Sequence, residues 1–270
     1  MTRAAPWENE DCGAGFQPAP RQAGGAGWKP APQSSMKVCR GRFGRGAGWK
    51  PAPQSSMKVC RGRFGRRRIA VLQSGMGARG FDQRLAEHLA VNRYDALIVA
   101  GLAGGLDPKL RAGAAILYDL CYDARPDRGE MASIATDDGL SKLLFEALRA
   151  ADRPCVRGPG IMVNKIITKA EDKLALGDHY GAAAVDMETF EVLNACARFD
   201  LPAAALRVIL DEAGHDTPDL NRAYEPDGLV NAWRMAGVMM ARPVAASRFL
   251  LSVQPAIRSL RENLKAAFRA

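Results

Sequence analysis

The 270-residue chain has few of the features that would assign it to a class at once. No apolar run approaches the roughly 20 residues that a membrane-spanning helix needs, and the first residues contain no apolar core of a secretion signal. Its six cysteines include no C-x-x-C pair, and its three histidines have no second ligand at metal-binding spacing. We therefore expect reduced thiols, no metal ion and a cytoplasmic location.

Acidic residues are scarce in the first quarter of the chain. Residues 1–68 carry 14 Lys and Arg against 3 acids, a net charge of +11, whereas residues 69–270 carry 24 against 26, a net charge of −2. The segment GAGWKPAPQSSMKVCRGRFGR occupies residues 25–45 and is repeated without change at residues 46–66. Because this region is rich in Gly, Pro, Ser and Arg and has no apolar periodicity, residues 1–68 are predicted to form a disordered basic tail.

Two interpretations of this basic tail are open. As an Arg-rich arm with interleaved aromatics such as Trp28 and Phe43, it would hold nucleic acid or another anionic surface by phosphate contacts and stacking. Alternatively, the repeat reflects a recent duplication, or non-coding sequence read in frame. We favour the second interpretation, because selection for binding has no reason to keep every residue, and we expect no specific nucleic-acid partner.

Beyond the tail, short apolar runs alternate with segments of helical periodicity. The runs IAVLQSG and ALIVAG flank the helix-like segment GFDQRLAEHLAVN, and the runs AAAVDM and AAALRVILD flank ETFEVLNACARFD. Each set is interpreted as a β-α-β unit, which implies parallel strands covered by helices. The predicted fold class is α/β, a three-layer αβα arrangement with a mainly parallel central sheet, formed by residues 69–270.

Two further helical regions are predicted around these units. Residues 138–151 have amphipathic spacing, and either Asp137 or Asp138 is the expected N-cap. After Pro218 the pattern is helical throughout residues 219–270. Three prolines are expected to divide that region into segments, namely Pro226, Pro243 and Pro255.

Candidate ligand-binding residues follow the predicted strands. In open parallel sheets, ligands bind beyond the carboxyl ends of strands, and a doubly wound sheet would gather those ends along one rim. Each candidate also has an ordinary alternative, since glycines permit tight turns and acids cap helices or complement the helix dipole. The candidates are Gly75, Gly101, Gly104, Asp186, Glu188 and Asp211.

Four segments together make the chain similar to a known superfamily. SGMG, VAGLAGGLDPKLRAG, AVDMET and LRVILD, in that order, resemble the purine nucleoside phosphorylase and methylthioadenosine/adenosylhomocysteine nucleosidase superfamily, over residues 69–216. The most specific element is D-M-E followed by a later R-x-x-x-D. The segments GLAGGLDP, VDMET and NAWRMAGVMMARP are most similar to the hopanoid-associated phosphorylase branch. The resemblance implies a phosphorylase-like fold and, from that branch, an adenosylhopane-type nucleoside as substrate.

The resemblance also implies roles in cleaving the bond between ribose and adenine. Glu188 would accept hydrogen bonds from the ribose 2′ and 3′ hydroxyls, and Met187 would pack against the sugar. Asp211 would protonate the departing purine at N7, which requires a carboxyl pKa raised by desolvation. The oxocarbenium ion would then meet water in a nucleosidase, or phosphate as co-substrate in a phosphorylase, and no other cofactor is expected.

The resemblance assigns the remaining residues less firmly. Asp186 receives no definite role, and Arg207 is expected to orient a carboxylate rather than to contact phosphate. Ile166 and Ile167, in VNKIIT, would either line the base pocket or lie in an ordinary core strand. The resemblance further implies a homo-oligomer.

The last predicted helix, QPAIRSLRENLKAAFRA, has one apolar face with Arg and Lys elsewhere. This pattern fits a peripheral membrane contact, for which a lipid-linked substrate would give a reason, and it also fits a helix that packs against the core. We favour the core-facing interpretation. The residues of the apolar face are Ile257, Leu260, Leu264 and Phe268.

Three departures from the family pattern bear on activity. The repeat stands in place of the strand and loop with which family members usually begin. Leu102 and Leu210 replace serines that many relatives carry near the nucleophile and before the catalytic acid. Losing a central strand predicts an exposed sheet edge. These departures leave open the alternative of a catalytically impaired nucleoside-binding remnant.

Overall fold

A computed structural model describes residues 58–64, 67–73, 81–125, 132–223 and 231–269. The predictions on residues 1–57, on Gly75 and on Pro226 lie outside these ranges. The strands are β1 (Lys58–Phe64), β2 (Arg67–Gln73), β3 (Leu97–Gly105), β4 (Ala115–Asp123), β5 (Ala132–Ala135), β6 (Cys155–Met162), β7 (Ala184–Asp186) and β8 (Ala203–Asp211). The helices are α1 (Phe81–Val91), α2 (Asp138–Ala150), α3 (Ala170–Tyr180), α4 (Thr189–Ala197), α5 (Ala232–Ala241) and α6 (Pro243–Arg269), with a 3₁₀ turn at Leu220–Ala223.

Six of the strands form one mixed sheet in the order β5-β4-β6-β7-β3-β8. The first three residues of β4 also pair with β8, so that β4, β6, β7, β3 and β8 close into a ring. Residues 115–117 of β4 therefore pair with β6 on one side and with β8 on the other. The α/β class is confirmed, and most of the paired residues of this mixed sheet are in parallel register: β3–β8, β4–β6 and β6–β7 are parallel, and β3–β7, β4–β8 and β4–β5 are antiparallel.

Neither predicted β-α-β unit places its two strands side by side. β2 pairs with β1 in a separate two-stranded sheet, and β3 lies between β7 and β8 and runs antiparallel to β7. The parallel direction predicted for the second unit was therefore wrong, since β3 is antiparallel to β7 and parallel to β8, and β2 of the first unit lies outside the six-stranded sheet. The physical reason is that an apolar run records burial on both faces of a strand, and it says nothing about which strand lies beside it.

Strand β1 corrects the predicted start of the folded region. It pairs with β2 in antiparallel register from Lys58↔Gln73 to Phe64↔Arg67. Regular structure therefore begins at Lys58, within the segment that was predicted to be disordered. The ring of Phe64 lies 6.2 Å from that of Phe268 in α6. Of residues 59–64, two have partly buried side chains and four are exposed, so this part of the strand has almost no apolar alternation by which its sequence could be recognised.

Alternate residues of β8 face two separate cores. Ala205 and Ile209 belong to the first core, together with α1 and α4, whereas Leu206 and Val208 belong to the second core, together with α2 and α6. Both faces of the strand are thus covered, which is why its sequence is almost continuously apolar. The helices on the two sides give the predicted three layers.

The C-terminal helices differ from the prediction at one proline. Pro243 begins α6 as expected, but Pro255 lies inside that helix, which continues to Arg269. Because Pro255 has no backbone N–H, α6 lacks one hydrogen bond at that position, while the neighbouring Ala256 is completely buried. Leu260 and Leu264 pack against the second core, which is the core-facing alternative. Among the helices described, none combines the length and the apolar character needed to cross a membrane.

The start of α2 is set by its predicted cap. The carboxylate of Asp137 accepts a hydrogen bond of 2.7 Å from the N–H of Leu140, so Asp137 is the N-cap. The helix then buries Leu144 and Leu148 in the second core.

A prediction arises from the contact between β4 and β6. A Cβ atom on Gly160 would overlap the ring of Tyr118, which is fully buried and has no room to move. We expect Gly160→Ala to lower the free energy of unfolding by about 1–3 kcal/mol, the usual cost of overpacking. Urea unfolding measures this loss. Gly158→Ala in the same strand is the matched control, since its Cβ would make ordinary contacts at 3.7 Å and beyond. Equal free energies of unfolding in the two variants would show that a Cβ at position 160 does not clash with Tyr118.

Candidate active site

The D-M-E segment turns from β7 into α4 around the carboxylate of Asp186. Its Oδ1 accepts hydrogen bonds from the N–H groups of Glu188 (2.9 Å) and Thr189 (2.8 Å), and its Oδ2 accepts one from the Thr189 hydroxyl (2.6 Å). Asp186 is 5% exposed. The buried carboxylate therefore satisfies the free N–H groups at the start of α4 and fixes the point at which Glu188 leaves the strand.

Arg207 of β8 lies beside both carboxylates of this segment. Its Nε is 3.2 Å from Oδ2 of Asp186, and its Nη2 is 3.6 Å from Oε2 of Glu188. Nε and Nη2 also donate to the hydroxyl oxygen of Thr189, at 3.1 and 2.7 Å. Burial opposes the charge on Arg207, but Asp186 and Glu188 beside it raise its pKa. One buried cation is thus paired with two carboxylates.

The two candidate glycines of β3 make room for side chains of the neighbouring strands. A Cβ on Gly101 would overlap the guanidinium of Arg207, and a Cβ on Gly104 would lie 3.1 Å from Val185 and 3.5 Å from both carboxylate oxygens of Asp211. The strand continues through both positions and ends at Gly105. The expectation that Gly101 closes the strand was therefore wrong. A glycine is needed there because the side chain of Arg207 comes too close for a Cβ atom, and not because the chain turns.

Asp211 is the last residue of β8, and its carboxylate is paired with a lysine of α3. Nζ of Lys173 is 2.5 Å from Oδ2 of Asp211, and it also donates to the backbone carbonyls of Glu212 (3.2 Å) and His215 (3.0 Å). Lys173 is fully buried, and the side chain of Asp211 is 15% exposed. Burial raises the pKa of Asp211, and the ammonium of Lys173 opposes that rise.

Lys173 is the residue of this site that sequence reasoning missed. It stands in KAEDKLALGDHY, a helix with charged residues on several sides and no marked apolar stripe. No local pattern separates a lysine that is buried against a carboxylate from one that faces solvent. Only the packing of α3 against the end of β8 distinguishes it.

Met187 and Ile167 lie in the same apolar cluster, the third core, which also contains Val185. Ile166 and Ile167 belong to the loop between β6 and α3, so the core-strand alternative for them was wrong. Asn221 holds this loop, since its side chain accepts from the N–H of Ile166 and donates to its carbonyl, both at 2.9 Å. Because the side chain of Asn221 satisfies the backbone N–H and carbonyl of Ile166, this loop does not need the strand pairing that its apolar sequence suggested.

Val185 and Asp211 lie on the two sides of β3. Gly104 of β3 pairs with Val185 on one side and with Asp211 on the other, so these two residues are two strand spacings apart, about 9–10 Å. The expected rim of carboxyl ends was wrong for β7, because β7 and β8 run in opposite directions. Glu188 follows β7, which is only three residues long and lies beside the end of β3.

Two residues that replace family serines, one near the nucleophile and one before the catalytic acid, lie on the other face of the sheet. Leu102 and Leu210 pack against the second core, on the side of α2 and α6. The described ranges contain no group of three or more His, Cys, Asp or Glu residues that could hold a metal ion.

The ring of strands and the helices on its two sides define an α/β protein. Residues 42–234 match the phosphorylase superfamily, which is more than half of the chain, so the chain belongs to this family. The superfamily predicted from the four sequence segments is thereby confirmed.

Two similar proteins are both described as 5′-methylthioadenosine/S-adenosylhomocysteine nucleosidases. The protein of Lysinibacillus sphaericus (strain C3-41) is 26% identical over 165 residues, which cover 56% of this chain and 71% of that protein. The protein of Glaesserella parasuis serovar 5 (strain SH0165) is 25% identical over 162 residues, which cover 55% of this chain and 70% of that protein.

Solved structures share the fold at lower identity. Futalosine hydrolase of Helicobacter pylori has a TM-score of 0.61 and 17% identity, and the match covers 78% of this chain and 83% of that one. The Neisseria meningitidis 5′-methylthioadenosine/S-adenosylhomocysteine nucleosidase in complex with methylthio-immucillin-A has a TM-score of 0.58 and 17% identity, covering 78% of this chain and 90% of that one.

Proposed function

We propose that the protein is an enzyme that cleaves the N-glycosidic bond of a purine nucleoside. The observation that carries this proposal is the surroundings of two carboxyl groups at the ends of β7 and β8, with Glu188 beside Arg207 and Asp211 beside Lys173. The two carboxyl groups have different surroundings, and two acidic groups in different surroundings can take different roles. Family membership and the two similar nucleosidases support the same reaction.

In this reaction, the C1′–N9 bond breaks and its electron pair moves onto the purine. Asp211 donates a proton to N7, which neutralises the leaving base. Glu188 accepts hydrogen bonds from the ribose hydroxyls, and Arg207, 3.6 Å away, holds Glu188 in place. Met187 packs against the sugar. Water attacking C1′ gives free ribose, and phosphate attacking C1′ gives the ribose 1-phosphate.

The proposal includes adenine as the base and an adenosylhopane-type nucleoside as a candidate substrate. This finer assignment rests on the similarity of GLAGGLDP, VDMET and NAWRMAGVMMARP to the hopanoid-associated branch. Ile166 and Ile167, whose loop adjoins the cluster of Met187, are proposed to line the base pocket. Phosphate as co-substrate and a homo-oligomeric assembly are part of the same proposal.

Adenine release by the purified full chain tests the function. The substrate is 5′-methylthioadenosine, assayed with and without phosphate, and isothermal titration calorimetry follows binding in parallel. Release without phosphate identifies a nucleosidase, and release only with phosphate identifies a phosphorylase. Binding without release supports the impaired-remnant alternative. Neither binding nor release by a folded preparation would overturn the proposal.

Glu188→Gln gives a prediction specific to the sugar. A neutral amide accepts hydrogen bonds less strongly than a carboxylate, and a hydrogen bond to a charged group contributes about 1.5–3 kcal/mol. We expect kcat/KM for adenosine to fall roughly 10- to 100-fold. The fall should be much smaller for 2′,3′-dideoxyadenosine, which lacks both hydroxyls. Glu146→Gln on the exposed face of α2 is the control. Equal losses on the two nucleosides would show that Glu188 does not contact the hydroxyls.

A further inference from the structure

Lys173 is an ammonium group buried completely within the protein, with every hydrogen-bond donor occupied. An ammonium has three donors. The three acceptors are Oδ2 of Asp211 and the backbone carbonyls of Glu212 and His215. Because no donor is left over, Lys173 has none to offer a ligand. Its contacts instead fix the position of one carboxylate and of the loop that follows it.

The same loop is joined to α3 at two further points. Oδ1 of Asp216 accepts a hydrogen bond of 2.9 Å from the N–H of Ala170, and the N–H of Thr217 donates to the carbonyl of Thr168 at 2.8 Å. The end of β8 and the start of α3 therefore form one connected unit. Lys173 is the charged group at its centre.

We propose that Lys173 is a positioning residue, which orients Asp211 toward the ligand and sets the pH range in which the Asp211 carboxyl carries a proton. This inference rests on the proposed function, because it assigns Asp211 the proton that the purine receives. Lys173 holds Oδ2, and Gly104, which has no side chain, lies beside both oxygens of the carboxylate. The orientation follows from these two contacts.

The surroundings of Asp211 make Lys173 the controlling charge. Of the described charged side chains, Lys173 is the one that contacts the Asp211 carboxylate. Carboxylates paired with a cation at this distance normally titrate about one to three pH units lower than unpaired ones. The other elements packed there contribute Gly104 of β3, Val185 of β7, the Arg111–Glu212 ion pair, and His215 beside Glu212.

Removing the ammonium has an effect of defined sign. A buried carboxyl without its cation holds its proton to higher pH, because the ionised form is then desolvated and unpaired. If Asp211 acts as a general acid, activity falls as the pH rises through its pKa. In Lys173→Met, the pKa of Asp211 rises and this falling limb moves to higher pH.

Titration of the carboxyl by NMR tests the inference without any assay of activity. Full-chain protein carries ¹³C-labelled aspartate, and the Asp211 signal is the one missing in Asp211→Asn. We expect the pKa of Asp211 to be about one to three units higher in Lys173→Met than in the unmodified protein. Lys173→Gln, which keeps amide donors for the two carbonyls, should show the same direction. Lys169→Met, an exposed lysine at the start of α3, is the matched control and should leave the pKa unchanged.

The kinetic arm follows the pH profile of kcat/KM for adenine release. The falling limb should move by the same interval as the NMR titration in Lys173→Met and Lys173→Gln. A loss of rate with an unmoved limb would reduce Lys173 to a structural residue and overturn the inference, as would an unchanged Asp211 titration. If the unmodified protein releases no adenine, the proposed function fails, and the NMR titration still decides the role of Lys173.

Discussion

Asp211→Asn is expected to reduce adenine release from 5′-methylthioadenosine by roughly 10²- to 10⁴-fold, the usual contribution of a general acid. An asparagine has the shape of the carboxylic acid but holds no proton that can pass to N7. The buried ammonium of Lys173 keeps two of its three acceptors, the carbonyls of Glu212 and His215. The variant therefore loses the chemical step while its site retains most of its contacts.

The neighbouring carboxylate provides a matched control. The side chain of Glu212 is bonded to Arg111 and to the N–H of Ala112, away from Lys173. Glu212→Gln should keep adenine release close to that of the unmodified protein. Single-turnover release measures the chemical step in both variants, and circular dichroism verifies folding. A folded Asp211→Asn protein with an unchanged rate would remove Asp211 from the reaction.

Arg207→Met is expected to destabilise the whole domain. The substitution removes the cation between Asp186 and Glu188 and takes both donors from the Thr189 hydroxyl oxygen. Breaking one side of a buried ion pair costs about 3–5 kcal/mol, because the remaining charge is left unpaired away from water. The loss is measured as the change in the free energy of unfolding in urea.

Two further variants show whether this loss arises from burial. Arg157→Met also breaks ion pairs, with Asp119 and Asp138, but these side chains are exposed, so we expect about 0–1 kcal/mol. Adding Asp186→Asn to Arg207→Met removes one of the unpaired charges, so the double variant should lose less than the sum of the two single losses. A loss below about 1 kcal/mol in Arg207→Met would contradict the buried-pair assignment.

Local chemistry made part of the fold predictable from the sequence. The predicted strand at residues 203–211 coincides with β8, because both faces of that strand are buried and every residue but one before Asp211 is apolar. The predicted cap at Asp137 starts α2, because a carboxylate before an amphipathic run bonds the free N–H groups of the first turn. Such features depend on neighbours within one or two turns of chain.

Long-range pairing could not be predicted in the same way. The direction of β7 and the place of β3 beside it depend on residues more than 70 positions apart, and an apolar run carries no record of its partner. The same limit applied to the site. The sequence supplied Glu188, Arg207 and Asp211 as candidates, but Lys173 became visible only when α3 was packed against β8.

The pairing between β4 and β8 at residues 115–117 has a consequence for the spacing of the two acids. Five strands that pair side by side form a closed ring whose circumference is set by their number and stagger. The separation of Glu188 from Asp211 therefore depends on all five strand pairings, and no single pairing can widen without changing the others. A mutation that weakens one strand pairing on the opposite side of the ring would therefore change this separation, although it touches neither acid.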